Sequence, residues 1–422
     1  MLKLSFLSQN KLKSIKLLKI KNFDAKDLIN ELIILDEKRK KIQTNLDQTL
    51  NKINNLSKEI GNDFKNGNIN LANSKKETTL SLKEQSKDLT ESLKITQKLI
   101  KSKLVLIPNI PNSSVPQGNN ELNNEIIFKK GEIPNLDSNA RPHWEIAVNK
   151  NIIDFENGVN VTGAGFPVFI GKGAKLQRGL INYFLDKNIN AGYKEISPPL
   201  VVNENSAFGT GQLPDKDRQM YHVKEDNLYL IPTAEVPLTN LYKNKILNEK
   251  DLPINLTAYS PCFRREAGSY GKNVRGLNRL HQFDKVEIVK IDRPSNSNTS
   301  LQSMVNHISS ILSELNLPYR MLKLCGGDTS FASSITYDFE VFSAAQKKWL
   351  EVSSVSNFED FQANRLNLRF KNKENKIEFC HTLNGSSLAL PRIIAAILEN
   401  NQINEKIFIP KILHSYCGFS EI

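Results

Sequence analysis

From Leu28 onward, apolar residues recur mostly at steps of three, four and seven: Leu28, Leu32, Leu35, Ile42, Leu46, Leu50, Ile53, Leu56 and Ile60. Polar residues fill the other positions, which predicts one long amphipathic helix with a narrow apolar seam. The stretch GNDFKNGN at 61–68 has the composition of a turn. A second seam follows at Leu82, Leu89, Leu93, Ile100, Leu104 and Ile107, and Pro108 and Pro111 end it. The expected product is an antiparallel hairpin of two helices, each about 35 residues and roughly 50 Å long at ~1.5 Å per residue. So narrow a seam covers one partner helix only, so the hairpin should stand in solvent. On these residues alone it reads as a coiled-coil interaction rod.

IPNIPNSSVPQG at 107–118 is a proline-punctuated linker and marks a domain boundary, with one domain over 1–107 and a second over 108–422. Beyond the linker the pattern changes to short β-rich runs at 159–170, 194–202, 228–231, 257–264, 280–290, 319–324, 337–342 and 349–355. Helical periodicity appears at 172–188, 300–315 and 388–400. Strands outnumber helices and rarely alternate with them. The predicted class is therefore α+β, a two-helix coiled-coil arm followed by an antiparallel sheet flanked by helices, without an internal repeat.

Composition narrows the choice. With 39% hydrophobic and 24% charged residues over 422 positions the chain can bury a sizeable core. That excludes collagen-like, disordered and small disulfide-stapled classes. The longest apolar runs, such as 393–398, fall far short of the ~20 residues that span a bilayer, so no membrane partner is expected. Cys262, Cys325, Cys380 and Cys417 lie far apart with no CxxC pair, which argues against a zinc or disulfide framework and fits a reducing cytoplasm. The net charge of +12 is uneven: residues 1–103 hold 22 Lys/Arg against 12 Asp/Glu, and the remainder 35 against 33. A basic segment on a near-neutral body either meets a polyanion or reflects the chain's general richness in Lys, Asn and Ile. The first 23 residues carry six lysines and no acid, but no small-residue cleavage site follows, so no leader peptide is expected.

Two glycine-bearing segments are decoys. GAGFPV at 163–168 lacks the third glycine of a dinucleotide fingerprint, and GKG at 171–173 lacks both the earlier glycine and the following hydroxyl of a phosphate loop. The densest chemistry is CFRREAGSYGKNVRGLNRLHQFDKVE at 262–287, where two strand-like runs flank a basic, glycine-bearing loop. Arg264 at the end of one run and Phe283 on the next can share a sheet face. There a guanidinium fork takes a phosphate and an aromatic ring stacks on a base. The pattern is either a nucleotide clamp on an open sheet or a charged hairpin with solvated arginines.

These same residues carry a resemblance. FRRE at 263–266, a loop, and then RGL and HQFDKVE resemble motif 2 of class II aminoacyl-tRNA synthetases, in the version of the bacterial-type seryl-tRNA synthetase family. YKEISPPLVV at 193–202 resembles motif 1, and LNGSSLALPR at 383–392 resembles motif 3. PTAE at 232–235 and EVSSVSN at 351–357 are similar to that family's serine and ATP segments, and the opening MLKLSF and IPNIP at 107–111 match it too. The segments follow in order behind the hairpin and span nearly the whole chain.

The resemblance implies a homodimeric, cytoplasmic enzyme that joins L-serine to ATP as seryl-adenylate, with Mg²⁺, and then charges tRNA(Ser) and also tRNA(Sec) where the organism has it. Pyrophosphate release needs charge stabilised on phosphate oxygens. In these terms Arg264 would hold the α-phosphate and the serine carboxylate together, and Arg392 would grip the γ-phosphate; these are the two catalytic candidates. Arg265, Glu266, Phe283, Glu351, Val352, Ser353 and Ser354 would complete the ATP site, with Glu266 at the adenine edge and Phe283 on its face. Glu351 and Ser354 would ligate Mg²⁺ through hard oxygens. Thr233, Ala234, Glu235, Glu287, Asn384 and Ser386, with Arg264, would select serine, and a site built around a hydroxyl rejects alanine by leaving buried polar groups unpaired. The hairpin would reach across the dimer to the long variable arm and elbow of the tRNA, a recognition by backbone charge and shape. Pro199 would lie in the dimer interface.

Two positions depart from the common family pattern: Pro391 and Ser387 stand where many relatives have glycine. Proline is tolerable in a first helical turn, whereas Ser387, beside Ser386, bears on the serine pocket. Two rival readings remain: an amino-acid:carrier-protein ligase sharing the catalytic core, and an inactive paralogue kept as a coiled-coil interaction protein.

Overall fold

The computed structural model describes residues 1–137, 139–215, 218–266 and 275–422. Their contacts divide into two units, one comprising residues 2–19 and 23–108 and the other residues 1, 20–22 and 109–422.

The first unit is dominated by an antiparallel hairpin of α1 (Lys26–Lys65) and α2 (Ile69–Leu104). The first helix runs further into the tip than composition predicts: α1 continues through Gly61, and the turn is confined to 66–68, with Gly67 at φ +77°, while α2 begins directly after the expected turn. A mid-helix glycine costs only about 1 kcal/mol. Across the tip, Lys75 on α2 reaches Asp63 at 2.8 Å and Glu59 at 2.9 Å, on both sides of Gly61, which favours the extra turn. The seam is narrow, as expected, but more polar. Leu32, Leu46, Ile53, Ile100 and Leu104 are buried, while Leu50 is exposed and Thr49, Thr79 and Thr96 take seam positions. Each of these threonines donates its hydroxyl to the carbonyl four residues back, which removes the need for a partner across the seam.

The second unit is built on an eight-stranded sheet. Its strands are β1 (Glu125–Lys130), β2 (Lys194–Glu195), β3 (Ile254–Phe263), β4 (Gln282–Asp292), β5 (Tyr319–Lys323), β6 (Ile335–Ser343), β7 (Lys348–Glu359) and β8 (His381–Ala389). Their order is β1-β5-β6-β7-β8-β4-β3-β2, antiparallel except for the β2–β3 edge pair. Helices α3 (Lys172–Asn190), α4 (Ser297–Glu314) and α5 (Leu390–Asn400) close the core. Leu176, Tyr183, Phe184, Met304, Ile308, Ile393 and Ile397 meet Val286, Ile288, Phe339, Val355 and Leu383 of the strands there.

Three elements differ from the sequence reading. The run at 194–202 is split between Lys194–Glu195 in the main sheet and Val201–Asn203 in a separate three-stranded sheet. The run at 159–170 is not one strand: Phe155–Val161 is a helix and only Val168–Phe169 is extended. Gly158 permits this fold-back, because a Cβ there would lie 2.0 Å from the Phe166 carbonyl oxygen. The helix expected from 388 begins at Leu390, since Leu388 and Ala389 still belong to β8. Pro391 sits in its first turn, where no amide donor is needed.

Candidate active site

Strand alternation builds the site on the sheet face opposite the buried helix-facing side chains. On β4, Val286 and Ile288 join the helix-covered core, so Phe283, Lys285 and Glu287 point the other way. Neighbouring strands add Asn384 and Ser386 from β8, Ser354 and Ser356 from β7, and Thr336 and Asp338 from β6. Together with Thr233, Glu235, Arg264, Glu266, Glu351 and Arg392 they line a cavity of about 780 Å³.

Two irregularities in the ladder set which residues enter it. On β7 the register slips so that Ser353 pairs with Phe339 but Glu351 with Glu340, leaving Val352 as the extra residue. Before the slip Leu350 and Val352 are core residues, and after it Val355 is. The bulge therefore changes the phase of the strand and brings Glu351 and Ser354, three apart, onto the same side. On β8 the second slip lies between the pairs Glu287–Ser386 and Lys285–Ala389. It brings Ser386 and Ala389, three apart, to the cavity side, while ordinary alternation sends Ser387 to the other face, fully buried, where it donates to Asn188 Oδ1 of α3 at 2.9 Å. Ser387 thus bears on the cavity only through the packing behind the sheet.

One end of the cavity holds Arg264, whose guanidinium lies 5.3 Å from the Phe283 ring centroid. Its backbone amide bonds the His281 carbonyl, which keeps the two strands paired past the end of β3. Glu266 is held by Arg279 at 2.9 Å. Arg392, at the start of α5, donates to the Glu351 carbonyl at 2.6 Å and the Asn278 carbonyl at 3.2 Å. Asp338 accepts from Ser354. Burial first, and then the negative charge of Glu351, push its carboxyl well above the usual range. A crowded carboxylate pair beside a serine hydroxyl is a donor set suited to a hard divalent cation. Among the described residues no cluster of three or more His, Cys, Asp or Glu forms a metal cage. Mg²⁺ needs none, because it is commonly held by one or two carboxylates together with substrate phosphates.

The other end is a buried hydrogen-bond network. Glu287 Oε2 receives Lys285 Nζ at 2.6 Å and the Thr233 hydroxyl at 3.1 Å. Asn384 Nδ2 donates to Glu235 Oε2 at 2.8 Å and approaches Glu287 Oε1 at 3.4 Å. Gln362, oriented by Thr382, donates to the second oxygen of Glu235 at 2.7 Å. Burial, reinforced by the charge of Glu287, raises the Glu235 carboxyl to about 7. Burial also raises Glu287, against the pull of Lys285. Two buried carboxylates share one buried lysine, so this end has a deficit of positive charge and a place for a cationic, hydrogen-bonding ligand.

Most of the residues singled out in the sequence meet around this cavity: Thr233, Glu235, Arg264, Glu266, Phe283, Glu351, Val352, Ser353, Ser354, Asn384, Ser386 and Arg392 line it. Glu287 lies just behind the wall, and Ala234 is wholly buried against β3 and β4. Arg265 is not among the lining residues, and its amide bonds the Gln219 carbonyl at 2.9 Å. The loop 267–274, part of the motif 2 reading, lies outside the described residues. Sequence reasoning passed over Lys285, Asp338 and Gln362. Alternation alone places Lys285 between Phe283 and Glu287, and Asp338 is one of two acids, with Glu340, in a largely apolar strand. Gln362 carries no comparable signal.

Residues 1–111 match the family described as the seryl-tRNA synthetase N-terminal domain, and residues 221–401 match the class II tRNA synthetase core domain (G, H, P, S and T). The serine–tRNA ligase of Salinibacter ruber is 48% identical over 407 residues, 96% of this chain and 95% of the relative. The chain belongs to the seryl-tRNA synthetase family. A seryl-tRNA synthetase from Pyrococcus horikoshii, solved with ATP, superposes with a TM-score of 0.93 at 30% identity, covering 100% of this chain and 99% of that one. The cytoplasmic serine–tRNA ligase of Naegleria fowleri, solved with AMP, gives a TM-score of 0.88 at 26% identity over 100% and 98%. The seryl-tRNA synthetase fold thus extends over both the helical arm and the catalytic sheet.

Proposed function

We propose that the cavity activates L-serine with ATP and that the resulting seryl-adenylate is transferred to the 3′ end of tRNA(Ser), with tRNA(Sec) as a second acceptor where present. The observation that carries the amino-acid end is the buried Glu235–Glu287 pair with its single lysine, next to the Arg264–Phe283 pair at the nucleotide end. The serine ammonium supplies the missing positive charge, and Thr233, Asn384 and Ser386 are within reach of its hydroxyl. Phe283 offers a face for adenine and Glu266 its edge, while Arg264 draws the serine carboxylate and the α-phosphate together. A carboxylate oxygen attacks the α-phosphorus and the bond to pyrophosphate breaks. Arg392 stabilises the departing charge, and the carboxylate is already anionic, so the step requires no general base. Val352, Ser353 and Ala234 shape the walls, and Arg265 holds the strand end through its backbone. Glu351 and Ser354, with Asp338 beside them, would hold Mg²⁺; when bound, it neutralises phosphate charge.

The N-terminal family match favours a tRNA ligase over an amino-acid:carrier-protein ligase, and the complete set of cavity residues weighs against an inactive paralogue. We assign 1–107 to tRNA binding and 108–422 to catalysis. Strand β2 is an edge of the sheet, and exposed Leu200 and Val201 follow it beside Pro199, which supports a homodimer through this segment. Four buried free thiols suit the cytoplasm, and no helix among the described residues is long and apolar enough to cross a membrane. The test is ATP–pyrophosphate exchange with serine, alanine, threonine and glycine, followed by tRNA charging. Exchange with serine alone, plus charging, is expected. Exchange without charging would favour the carrier ligase, and no exchange would overturn the reading.

A further inference from the structure

Lys285 is the buried charged residue of the cavity to which neither the motifs nor the reaction scheme gives a task. Its side chain is 7% exposed, and Nζ lies 2.6 Å from Glu287 Oε2. An ammonium has three donors, and no other partner for this one is recorded among the described residues. Glu287 Oε2 is thereby doubly occupied, by Lys285 and by the Thr233 hydroxyl, whereas Oε1 meets only the long 3.4 Å approach of Asn384 Nδ2. One oxygen of the carboxylate is pinned and the other is left for a ligand. The other groups facing Glu287 are Glu235 from the segment after Thr233, Cys262 from β3 and Arg264 just past its end, and Asn384 and Ser386 from β8.

We infer that Lys285 is a positioning residue for serine recognition: it pins one oxygen of Glu287, so that the other oxygen is oriented to bind the substrate ammonium. This rests on the serine-activating reading of the cavity. Removing the lysine leaves two buried carboxylates with no cation between them, and like charges so placed cannot both stay ionised. The cation that favours ionised Glu287 over ionised Glu235 is then gone, so the proton shared by the pair settles on Glu287 as well, and the ammonium loses the anion aimed at it.

The test compares Lys285→Met and Lys285→Arg with wild type in ATP–pyrophosphate exchange, with serinamide as a competitive probe. Serinamide keeps the ammonium and the hydroxyl but lacks the carboxylate. Lys285→Met should raise the serine KM about a hundredfold or more while the ATP KM moves less than about threefold. Serinamide inhibition should weaken by a similar factor. The acid limb of kcat/KM for serine should shift to higher pH, and Lys285→Arg should restore part of both effects. If Lys285→Met binds serinamide as tightly as wild type does, the lysine acts on the carboxylate or phosphate and the inference is wrong. Equal changes in both KM values, with an unmoved pH profile, would mean general structural damage and would also overturn it. Failure of serine-dependent exchange in wild type would instead remove the underlying reading.

Discussion

Replacing Glu399 by Gln tests how the nucleotide end of the cavity is held from behind. Glu399, on α5, is wholly buried and accepts from the His143 amide at 2.9 Å, His143 Nδ1 at 2.6 Å, Gln346 Nε2 at 2.7 Å and the Ser343 hydroxyl. On the far side of the same ring, His143 Nε2 accepts the Leu277 amide at 2.8 Å. The imidazole is therefore neutral, with its proton on Nδ1 facing the carboxylate. The relay ends in the cavity wall, since the next residue, Asn278, offers its carbonyl to Arg392. Glutamine keeps the shape but presents an NH₂ to at least one of four converging donors. Each buried group left unpaired costs about 1–3 kcal/mol, more where the bond is to a charged group. A loss of about 3 kcal/mol should lower the melting transition of the catalytic unit by roughly 5 °C or more. Burial opposes ionisation of Glu399, but the His143 hydrogen bond and the Ser343 and backbone contacts outweigh it and hold the carboxyl below its usual range. Such a group contributes stability above its unfolded pKa and loses it as pH falls through the folded value. The gap between wild type and Glu399→Gln should therefore be full at pH 7 and shrink below about pH 4. The assay is thermal unfolding from pH 3 to 8, paired with exchange kinetics in which kcat falls at least tenfold with little change in the serine KM. A variant that melts and turns over like wild type at pH 7 would show that this relay does not hold the loop.

Three further outcomes follow from the same geometry. Arg264→Ala removes the guanidinium from above Phe283 and should lower the exchange rate by about 10²–10³-fold while the circular dichroism spectrum is unchanged; near-normal exchange would remove its assigned role. Because the Glu235 carboxyl lies near 7 and the serine ammonium favours its anion, kcat/KM for serine should rise with pH through that value. Glu235→Gln should flatten this limb and weaken serine binding about a hundredfold, which a pH series of exchange rates checks. In the hairpin, Glu31 and Lys103 form a 2.7 Å ion pair, so excising residues 30–100 and joining the ends by a short glycine linker closes a small gap. Exchange should survive and tRNA charging should be lost, and efficient charging by the shortened protein would refute the arm assignment.

What the sequence disclosed, and what it withheld, divides along physical lines. The hairpin was legible because two apolar seams with 3.6-residue periodicity need no distant partner to be recognised, and only its tip was misjudged. There a local turn composition was overridden by Lys75 reaching back to Glu59 and Asp63, contacts between residues 12 and 16 apart. The strands carrying Arg264 and Phe283 were legible from alternation, and the structure brings those two side chains together as alternation requires. The β7 and β8 bulges were not legible. A bulge is set by pairing with a neighbouring strand, yet it decides that Glu351 and Ser354 share a face and that Ala389 joins Ser386 at the cavity.

Charge balance was the other thing that linear reading could not reach. Glu235, Lys285 and Glu287 are unremarkable acids and bases in a chain with 24% charged residues. Only folding shows that they are buried together, with two carboxyl groups against one lysine. The pocket's affinity for an ammonium follows from that deficit, because a fully neutralised trio would have nothing to gain from a cation and an unpinned pair would trap a proton instead. The motif residues name the reaction, and the lysine that no motif singles out gives the carboxylates the charge state that recognition of serine requires.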